Sequence, residues 1–150
     1  MKLSTKGRYG LRAILDLALH EEEGNISISA ISERTRITVN YLEQLISKLR
    51  KAGIVTSIRG AQGGYKLAKD MKEISVGDIL RALEGDLAPV SCISDNEGEC
   101  SSANLCVTKL VWQRINDSIS EAVDNFMLSE LVSQSKMINP EQVSIEKNNC

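Results

Sequence analysis

Near residue 54 the spacing of the apolar residues changes from a helical period to a period of two, which restricts the fold more than any other feature. Before this point, residues 5–22 and the segments that follow Ser29 and Thr38 have apolar side chains at helical spacing. After it, two short β-type runs flank residues 60–64, a link that holds three of the ten glycines. Strand, glycine turn and strand in this order predict a β-hairpin.

The predicted elements occur in the order of a winged helix-turn-helix. A very short strand at residues 26–28 separates the first two helices, and the hairpin runs, residues 54–59 and 65–68, follow the third helix. Helical spacing then returns at residues 76–83 and, over about five turns, at residues 107–126. We therefore predict a mainly α fold with a small β wing and a long C-terminal helix.

Composition divides the chain into four predicted parts. Residues 1–84 form the winged helix-turn-helix domain, and residues 85–106 form a polar loop that contains cysteines. Residues 107–135 hold a dimerisation helix and a short last helix at 128–132. The apolar face of the long helix is expected to be buried against a partner subunit, with packing onto the same subunit's own domain as the alternative. Residues 136–150 are polar and are predicted to be a disordered tail.

Length and charge limit the classes of protein. No apolar run in the 150 residues approaches the ~18–20 residues of a membrane span, and the start lacks the apolar core of a signal peptide, so a cytoplasmic protein is expected. The net charge of −2 hides an asymmetry: residues 1–66 hold eleven Lys or Arg and six Asp or Glu, and residues 67–150 hold seven and fourteen. A basic first half indicates an anionic partner, although an exposed basic helix face would give the same count.

The third helix carries side chains that suit DNA. In a helix-turn-helix the second helix of the pair enters the major groove with its N-terminal residues at the base edges. Asn40 and Gln44 can pair with adenine, and Tyr41 and Lys48 can bond phosphates. Glu43 is either a specificity element, which accepts from cytosine N4, or a solvated carboxylate.

The hairpin is predicted to be the wing, with Arg59 at the start of its glycine turn. A narrow A·T-rich minor groove attracts arginine, and glycines allow close backbone approach; a plain exposed hairpin is the alternative. Arg8 and Arg12 of the first helix are expected to contact phosphates or to be solvated. The complete set of predicted DNA contacts is Ser29, Thr38, Asn40, Tyr41, Glu43, Gln44, Lys48, Arg59, Gly60 and Gln62.

Three of the four cysteines, Cys92, Cys100 and Cys106, lie within one polar loop. Their spacing matches neither the paired C-x2-C arrangement of structural zinc sites nor that of ferredoxins. Three thiolates on one loop can still converge on a metal, because sulfur ligands select iron–sulfur clusters, zinc or Cu(I). Structural cysteines and thiol-redox sensing are the alternatives. Cys150, in the tail, is assigned no role.

Four segments carry a resemblance to a known family. They are KGRYGLRAILDLA, NYLEQLISKLRKAGIV, SIRGAQGGYKLA and the three-cysteine loop before TKLVW. Because of these segments, residues 1–132 as a whole resemble the winged-helix transcriptional regulators that include IscR, NsrR and CymR. The cysteine loop is most similar to that of the iron–sulfur cluster regulators. The wing and ALEGDLAPV are also similar to the cysteine-metabolism regulators of the family, which lack these cysteines.

The resemblance implies a homodimer that binds a pseudo-palindromic DNA operator, with the long C-terminal helix crossing between subunits. It also implies a 2Fe–2S cluster held by Cys92, Cys100 and Cys106. Lys109 stands where the iron–sulfur members carry a histidine as the fourth ligand. His20, the only histidine, is predicted to be a surface residue at a helix end. The nearer candidates for a fourth ligand are Asp95, Glu97 and Glu99.

The favoured function is a dimeric transcription factor whose DNA binding responds to a 2Fe–2S cluster. One alternative is a thiol-redox or zinc-containing regulator of cysteine or sulfur metabolism, and another is a cluster carrier or electron-transfer protein. Residues 1–70 suit a DNA reader and contain nothing that serves electron transfer. With one histidine and no nucleophile motif, an enzyme is not expected.

Overall fold

The computed structural model describes residues 3–94 and 105–139. Over these residues the chain forms six α-helices and one two-stranded antiparallel sheet, which confirms the predicted mainly α fold with a β wing. The elements are α1 (Thr5–Leu19), α2 (Ile28–Thr35), α3 (Val39–Lys51), β1 (Val55–Ile58), β2 (Gly64–Leu67), α4 (Val76–Glu84), α5 (Lys109–Asp124) and α6 (Leu128–Ile138).

Helices α2 and α3 form the helix-turn-helix, and each begins at a hydroxyl N-cap. Ser27 Oγ accepts a 3.1 Å hydrogen bond from the Ala30 N–H, and Thr38 Oγ1 accepts a 3.4 Å bond from the Tyr41 N–H. Arg36, with φ of 57°, turns the chain between the two helices. The inner face of α3 is anchored in the core by four side chains that are at most 2% exposed: Leu42, Leu45, Ile46 and Leu49.

The end of α1 and the start of α2 differ from the predicted boundaries. Helix α1 ends at Leu19 instead of residue 22, because Glu21–Glu23 form a separate 3-10 turn. Helix α2 begins at Ile28, because the capping hydroxyl belongs to Ser27 and not to Ser29. Ser29 consequently lies exposed within the first turn of α2.

The wing is the β1–β2 hairpin. Its turn is closed by a 3.0 Å hydrogen bond from the Gly63 N–H to the Gly60 carbonyl, and the φ of 112° at Gly60 favours glycine. The predicted strand at residues 26–28 is reduced to a single bridge, since the chain enters α2 directly afterwards. In that bridge Ile26 exchanges backbone hydrogen bonds of 2.9 and 2.7 Å with Tyr65, which ties the wing to the α1–α2 connection.

Helix α4 lies at the centre of the arrangement and packs on α1, α3 and α5. Its last residue, Glu84, caps the start of α1 by accepting hydrogen bonds from the Ser4 N–H at 2.8 Å, the Ser4 hydroxyl at 2.7 Å and the Gly7 N–H at 3.0 Å. Burial alone would raise the pKa of Glu84, but these hydrogen bonds outweigh burial and lower it. The α4–α1 contact is therefore held by an ionised carboxylate.

Helix α6 returns the chain to the core. Leu128 and Val132 are 0% and 5% exposed and join the main apolar cluster, and the Leu128 N–H donates a 2.8 Å bond to the Ile74 carbonyl. The last helix is consequently longer than the predicted 128–132, and its final turn includes residues 136–138, which were predicted to belong to a disordered tail. Residues 140–150 lie outside the described residues.

A buried carboxylate connects α1 to the helix-turn-helix. Asp16 of α1 is completely buried, and Arg34 of α2 donates two 2.9 Å hydrogen bonds to its carboxylate. The same bond raises the pKa of Arg34. His20 is only 9% exposed, and its Nδ1 lies 2.8 Å from the Asp16 carbonyl oxygen. The expectation of a surface histidine is wrong, because this ring bonds the end of α1 instead of water.

Replacement of Arg34 by Gln is expected to lower the free energy of unfolding by about 3 kcal/mol, because it leaves the charge of Asp16 buried without its partner. The measurement is urea unfolding followed by circular dichroism. Arg59→Gln, the same change at an exposed position, should stay within about 0.5 kcal/mol of the unmodified protein. Equal stability of the two variants would refute the importance of this ion pair.

Candidate nucleic-acid interface and cysteine segment

The outer face of α3 presents polar side chains to solvent. Asn40, Glu43 and Gln44 are exposed on the side opposite the buried stripe, in the first half of the helix. Two amides flanking a carboxylate can read base edges in a major groove. The structure thus brings three of the predicted base-reading residues onto one accessible face, while Thr38 serves at the same end as the N-cap.

An aromatic cluster fixes the start of α3. The Tyr41 ring is half-buried and packs edge-on against Tyr9 of α1, with ring centroids 6.0 Å apart. The Arg12 guanidinium lies 5.6 Å from the Tyr9 centroid and donates a 3.1 Å bond to the Thr35 carbonyl at the end of α2. Arg12 is therefore engaged inside the domain and not on a solvated face. This cluster was not predicted, and only its Tyr9–Arg12 pair, three residues apart on α1, has a local spacing that could have indicated a contact.

Lys48 is exposed and also makes a contact within the domain. Its ammonium donates a 3.2 Å hydrogen bond to the Leu83 carbonyl in the last turn of α4. A cation at a helix C-terminus is favoured by the unpaired carbonyls there. Lys48 thus connects α3 to α4, and its contact with a DNA phosphate stays a prediction.

The tip of the wing is exposed at Arg59, Gly60 and Gln62. The Asn25 amide donates a 3.2 Å hydrogen bond to the Gln62 carbonyl, which holds the tip against the α1–α2 connection. This hydrogen bond stabilises the turn and leaves the Arg59 side chain exposed to solvent. The wing therefore presents an exposed cation at a turn that is hydrogen-bonded to the α1–α2 connection.

The two described cysteines of the loop lie at its two ends. Cys92 belongs to the 3-10 turn Ser91–Ile93, which packs on α5, and Cys106 lies three residues before the first residue of α5. Both are partly exposed free thiols. A 3.1 Å hydrogen bond between Cys106 Sγ and Thr108 Oγ1 lowers the pKa of the Cys106 thiol. The lowered pKa favours the thiolate, the form that binds metals and reacts with oxidants.

The remaining predicted ligands, namely Cys100, Asp95, Glu97 and Glu99, lie outside the described residues. Within residues 3–94 and 105–139 no three His, Cys, Asp or Glu side chains are grouped closely enough to hold a metal ion. Two accessible thiols, one of them with a lowered pKa, are the soft donors that iron–sulfur clusters and zinc require. The donor chemistry therefore fits a thiolate-held group. Lys109, the first residue of α5, contributes a positive charge near Cys106.

Helix α5 differs from the other helices in that none of its residues is buried. Leu110 and Val111 are 67% and 52% exposed, and the apolar face continues along the helix through Ile115 and Ile119. A continuous apolar face of this length is unusual on a water-exposed helix and indicates an interaction surface. None of the helices in the described ranges is both long and apolar enough to cross a membrane.

The exposed polar face of α3, the braced wing beside it and the basic first half define a winged helix-turn-helix DNA-binding protein. A family model for Rrf2, described as an iron-dependent transcriptional regulator, matches residues 3–134. The chain belongs to the Rrf2 family.

Curated relatives and solved structures agree with this assignment and confirm the family resemblance. IscR of Vibrio vulnificus strain YJ016 is 41% identical over 138 residues, which cover 92% of this chain and 81% of the relative. IscR of Pectobacterium atrosepticum is 40% identical over 139 residues, or 93% and 84% of the two chains. These relatives are transcriptional regulators, so the chain is a regulator of this kind and not an enzyme.

Two solved structures share the fold. IscR from T. potens is 43% identical with a TM-score of 0.75, covering 95% of this chain and 93% of its own. CymR, the global cysteine regulator of B. subtilis, is 42% identical with a TM-score of 0.73, covering 89% and 98%.

Proposed function

We propose that this protein is a homodimeric regulator that holds a 2Fe–2S cluster through Cys92, Cys100 and Cys106, and that the cluster alters its binding to a pseudo-palindromic operator. The observation that carries the proposal is the placement of two free, partly exposed thiols at the two ends of the segment between α4 and α5, with the thiolate of Cys106 favoured. The description of the family as iron-dependent supports the same conclusion.

The DNA contacts follow from the exposed face of α3 and the wing. Asn40 and Gln44 pair with base edges, and Glu43 discriminates between bases by accepting from cytosine. Arg59 enters the minor groove beside the backbone of Gly60 and Gln62. The flanking phosphates are contacted by Ser29 in the first turn of α2 and by Thr38 and Tyr41 at the start of α3.

The dimer buries the apolar face of α5 against α5 of a second subunit. This explains the exposure of Leu110, Val111 and Ile115 in the single chain. A two-fold dimer sets two recognition helices about one DNA turn, roughly 34–36 Å, apart, which is the spacing that a palindromic operator requires.

The cysteine segment connects the domain to the dimer helix. A bound 2Fe–2S cluster would link the thiolates to one another and would make the protein sensitive to oxygen and to the supply of iron. The chain's own contacts extend that link to α5, because the turn containing Cys92 packs on α5 and Cys106 lies three residues before α5 begins. Asp95, Glu97 and Glu99 remain the proposed candidates for the fourth ligand.

A regulator that uses the same cysteines without a cluster is the second candidate. The lowered pKa and partial exposure of Cys106 favour it, because a reactive thiolate can also sense oxidants or bind zinc. Iron, sulfide and zinc analysis of protein purified without oxygen separates the two. Equal amounts of iron and sulfide support the cluster, whereas zinc or no metal at all supports the second candidate.

Gln44→Ala and Arg59→Ala are each expected to weaken specific DNA binding by about 1–3 kcal/mol, because each removes a proposed groove contact. The measurement is a gel-shift titration with an operator selected from a random library. Gln134→Ala, at an exposed position of α6, is the matched control and should bind like the unmodified protein. Unchanged affinity in both groove variants would show that the DNA face is assigned wrongly.

A further inference from the structure

Helix α5 is anchored to the DNA-reading domain at its C-terminal end. There the Val76 N–H donates a 2.8 Å bond to the Phe126 carbonyl, and the Leu128 N–H donates a 2.8 Å bond to the Ile74 carbonyl. The helix also contacts the turn Ser91–Ile93, and its N-terminal residues Leu110 and Val111 are exposed. The direction of α5 therefore depends strongly on the contacts at its anchored end.

An ion pair between α4 and α5 constrains the direction of α5. Arg81 of α4 donates two hydrogen bonds, of 2.5 and 3.0 Å, to the Asp124 carboxylate in the last turn of α5. A bidentate pair constrains orientation as well as distance. Gly77 faces this pair, and a Cβ atom there would overlap the carboxylate. A side chain at position 77 would thus displace the Asp124 carboxylate from its place beside Arg81.

The contribution of this ion pair to folding stability does not explain why it lies between α4 and α5. The side chains of Arg81 and Asp124 are 39% and 45% exposed, and exposed ion pairs contribute little to folding. A carboxylate at a helix C-terminus is moreover disfavoured by the helix dipole. The hydrogen bond from Arg81 lowers the pKa of Asp124, so the pair stays ionised at neutral pH.

Helix α4 carries this constraint to the recognition helix. Lys48 of α3 is hydrogen-bonded to the Leu83 carbonyl, two residues beyond Arg81 on the same short helix. One face of α4 is thus bonded to α3 and another to α5. A change in the angle between α4 and α5 therefore moves the whole of α5 relative to the DNA-reading face of α3.

We propose that Arg81 and Asp124 are positioning residues that set the distance between operator half-sites that the dimer accepts. The inference rests on the proposed dimer through α5. The 16 residues of α5 span about 24 Å. A rotation of about 10° at its anchored end would move the far end by about 4 Å, which exceeds the ~3.4 Å rise of one base pair.

The test uses the full-length protein and the two-half-site operator that it selects from a random library. A series of this operator is made in which the centre is shortened or lengthened by one or two base pairs. The unmodified protein should prefer one spacing by about tenfold or more over its neighbours. In Asp124→Asn this ratio should fall to about threefold or less, with affinity for the best operator and the unfolding midpoint nearly unchanged.

Two further variants separate orientation from charge. Glu121→Gln removes the same charge from an exposed position of α5 and should keep the original ratio. Arg81→Asp and Asp124→Arg should each lose the spacing preference, and the double variant should recover it, which independent structural roles would not produce.

The outcomes distinguish this inference from the proposed function. An unmodified protein that is monomeric, or that selects no two-half-site operator, would refute the proposed function. A dimer with a spacing preference that Asp124→Asn retains would overturn the positioning role alone. A loss of affinity at every spacing, with the ratio unchanged, would overturn it as well.

Discussion

Cys106→Ala is expected to abolish the visible absorbance of the protein after anaerobic reconstitution with iron and sulfide, while leaving it folded. The thiol of Cys106 has the lowered pKa that favours a metal-binding thiolate, and no alanine atom can replace a sulfur ligand. Cys92→Ala and Cys100→Ala should have the same effect, because a cluster that loses one of three thiolates has too few donors left on this segment. The measurement is visible absorbance per subunit.

Cys150→Ala is the matched control, since it removes the one cysteine to which no role is assigned. It should retain the full absorbance of the unmodified protein. Full occupancy in any of the three segment variants would overturn the proposed ligand set. Circular dichroism of each variant distinguishes a lost ligand from a lost fold.

The double substitution Ile115→Glu and Ile119→Glu is expected to yield folded monomers with weak operator binding. Both side chains lie on the apolar face of α5, and a dimer through this face would bury four carboxylates without partners. Loss of the second half-site contact should lower operator affinity by about 100-fold or more. Light scattering measures the oligomeric state, and gel-shift titration measures the affinity.

The control for added charge is Gln113→Glu with Gln134→Glu, two exposed positions outside the apolar face. It should remain dimeric and bind the operator like the unmodified protein. If instead the Ile115 and Ile119 variant is a dimer with full affinity, α5 is not the interface.

Elements with strong local signals were predictable from the sequence. The four apolar residues of α3 recur at helical spacing and are all buried, and the glycine link marked the wing turn. Helix starts were less predictable, because Ser27 and Ser29 are chemically equal candidates for the cap of α2. The Ile26–Tyr65 bridge sets the path of the chain into α2, and on that path the Ser27 hydroxyl meets the Ala30 N–H.

Contacts between distant residues could not be predicted in the same way. Asp16 and Arg34 lie 18 positions apart, and Lys48 and Leu83 lie 35 positions apart. Their pairing depends on how the helices pack, which one sequence does not reveal. For this reason the contact of Lys48 with α4 was not predicted. His20 was expected at the surface, because the burial of its ring likewise depends on how the helices pack.

The candidate site was predictable where its residues share one element. Asn40, Glu43 and Gln44 were expected on the outer face of α3, and the structure exposes all three. Their contacts with DNA remain a proposal. The tyrosine–arginine cluster behind them was missed, because it joins α1 to α3 through packing and not through a local pattern.

The central claim is that one protein both reads DNA and responds to a cluster, and one titration tests it most directly. Protein purified without oxygen is divided into two portions, and the cluster is removed from one of them with a chelator. Operator affinity is then measured for both portions at the same salt concentration. We expect a coloured portion with iron and sulfide whose affinity differs about tenfold or more from that of the cluster-free portion. Equal affinities of a loaded and a cluster-free dimer would contradict the claim.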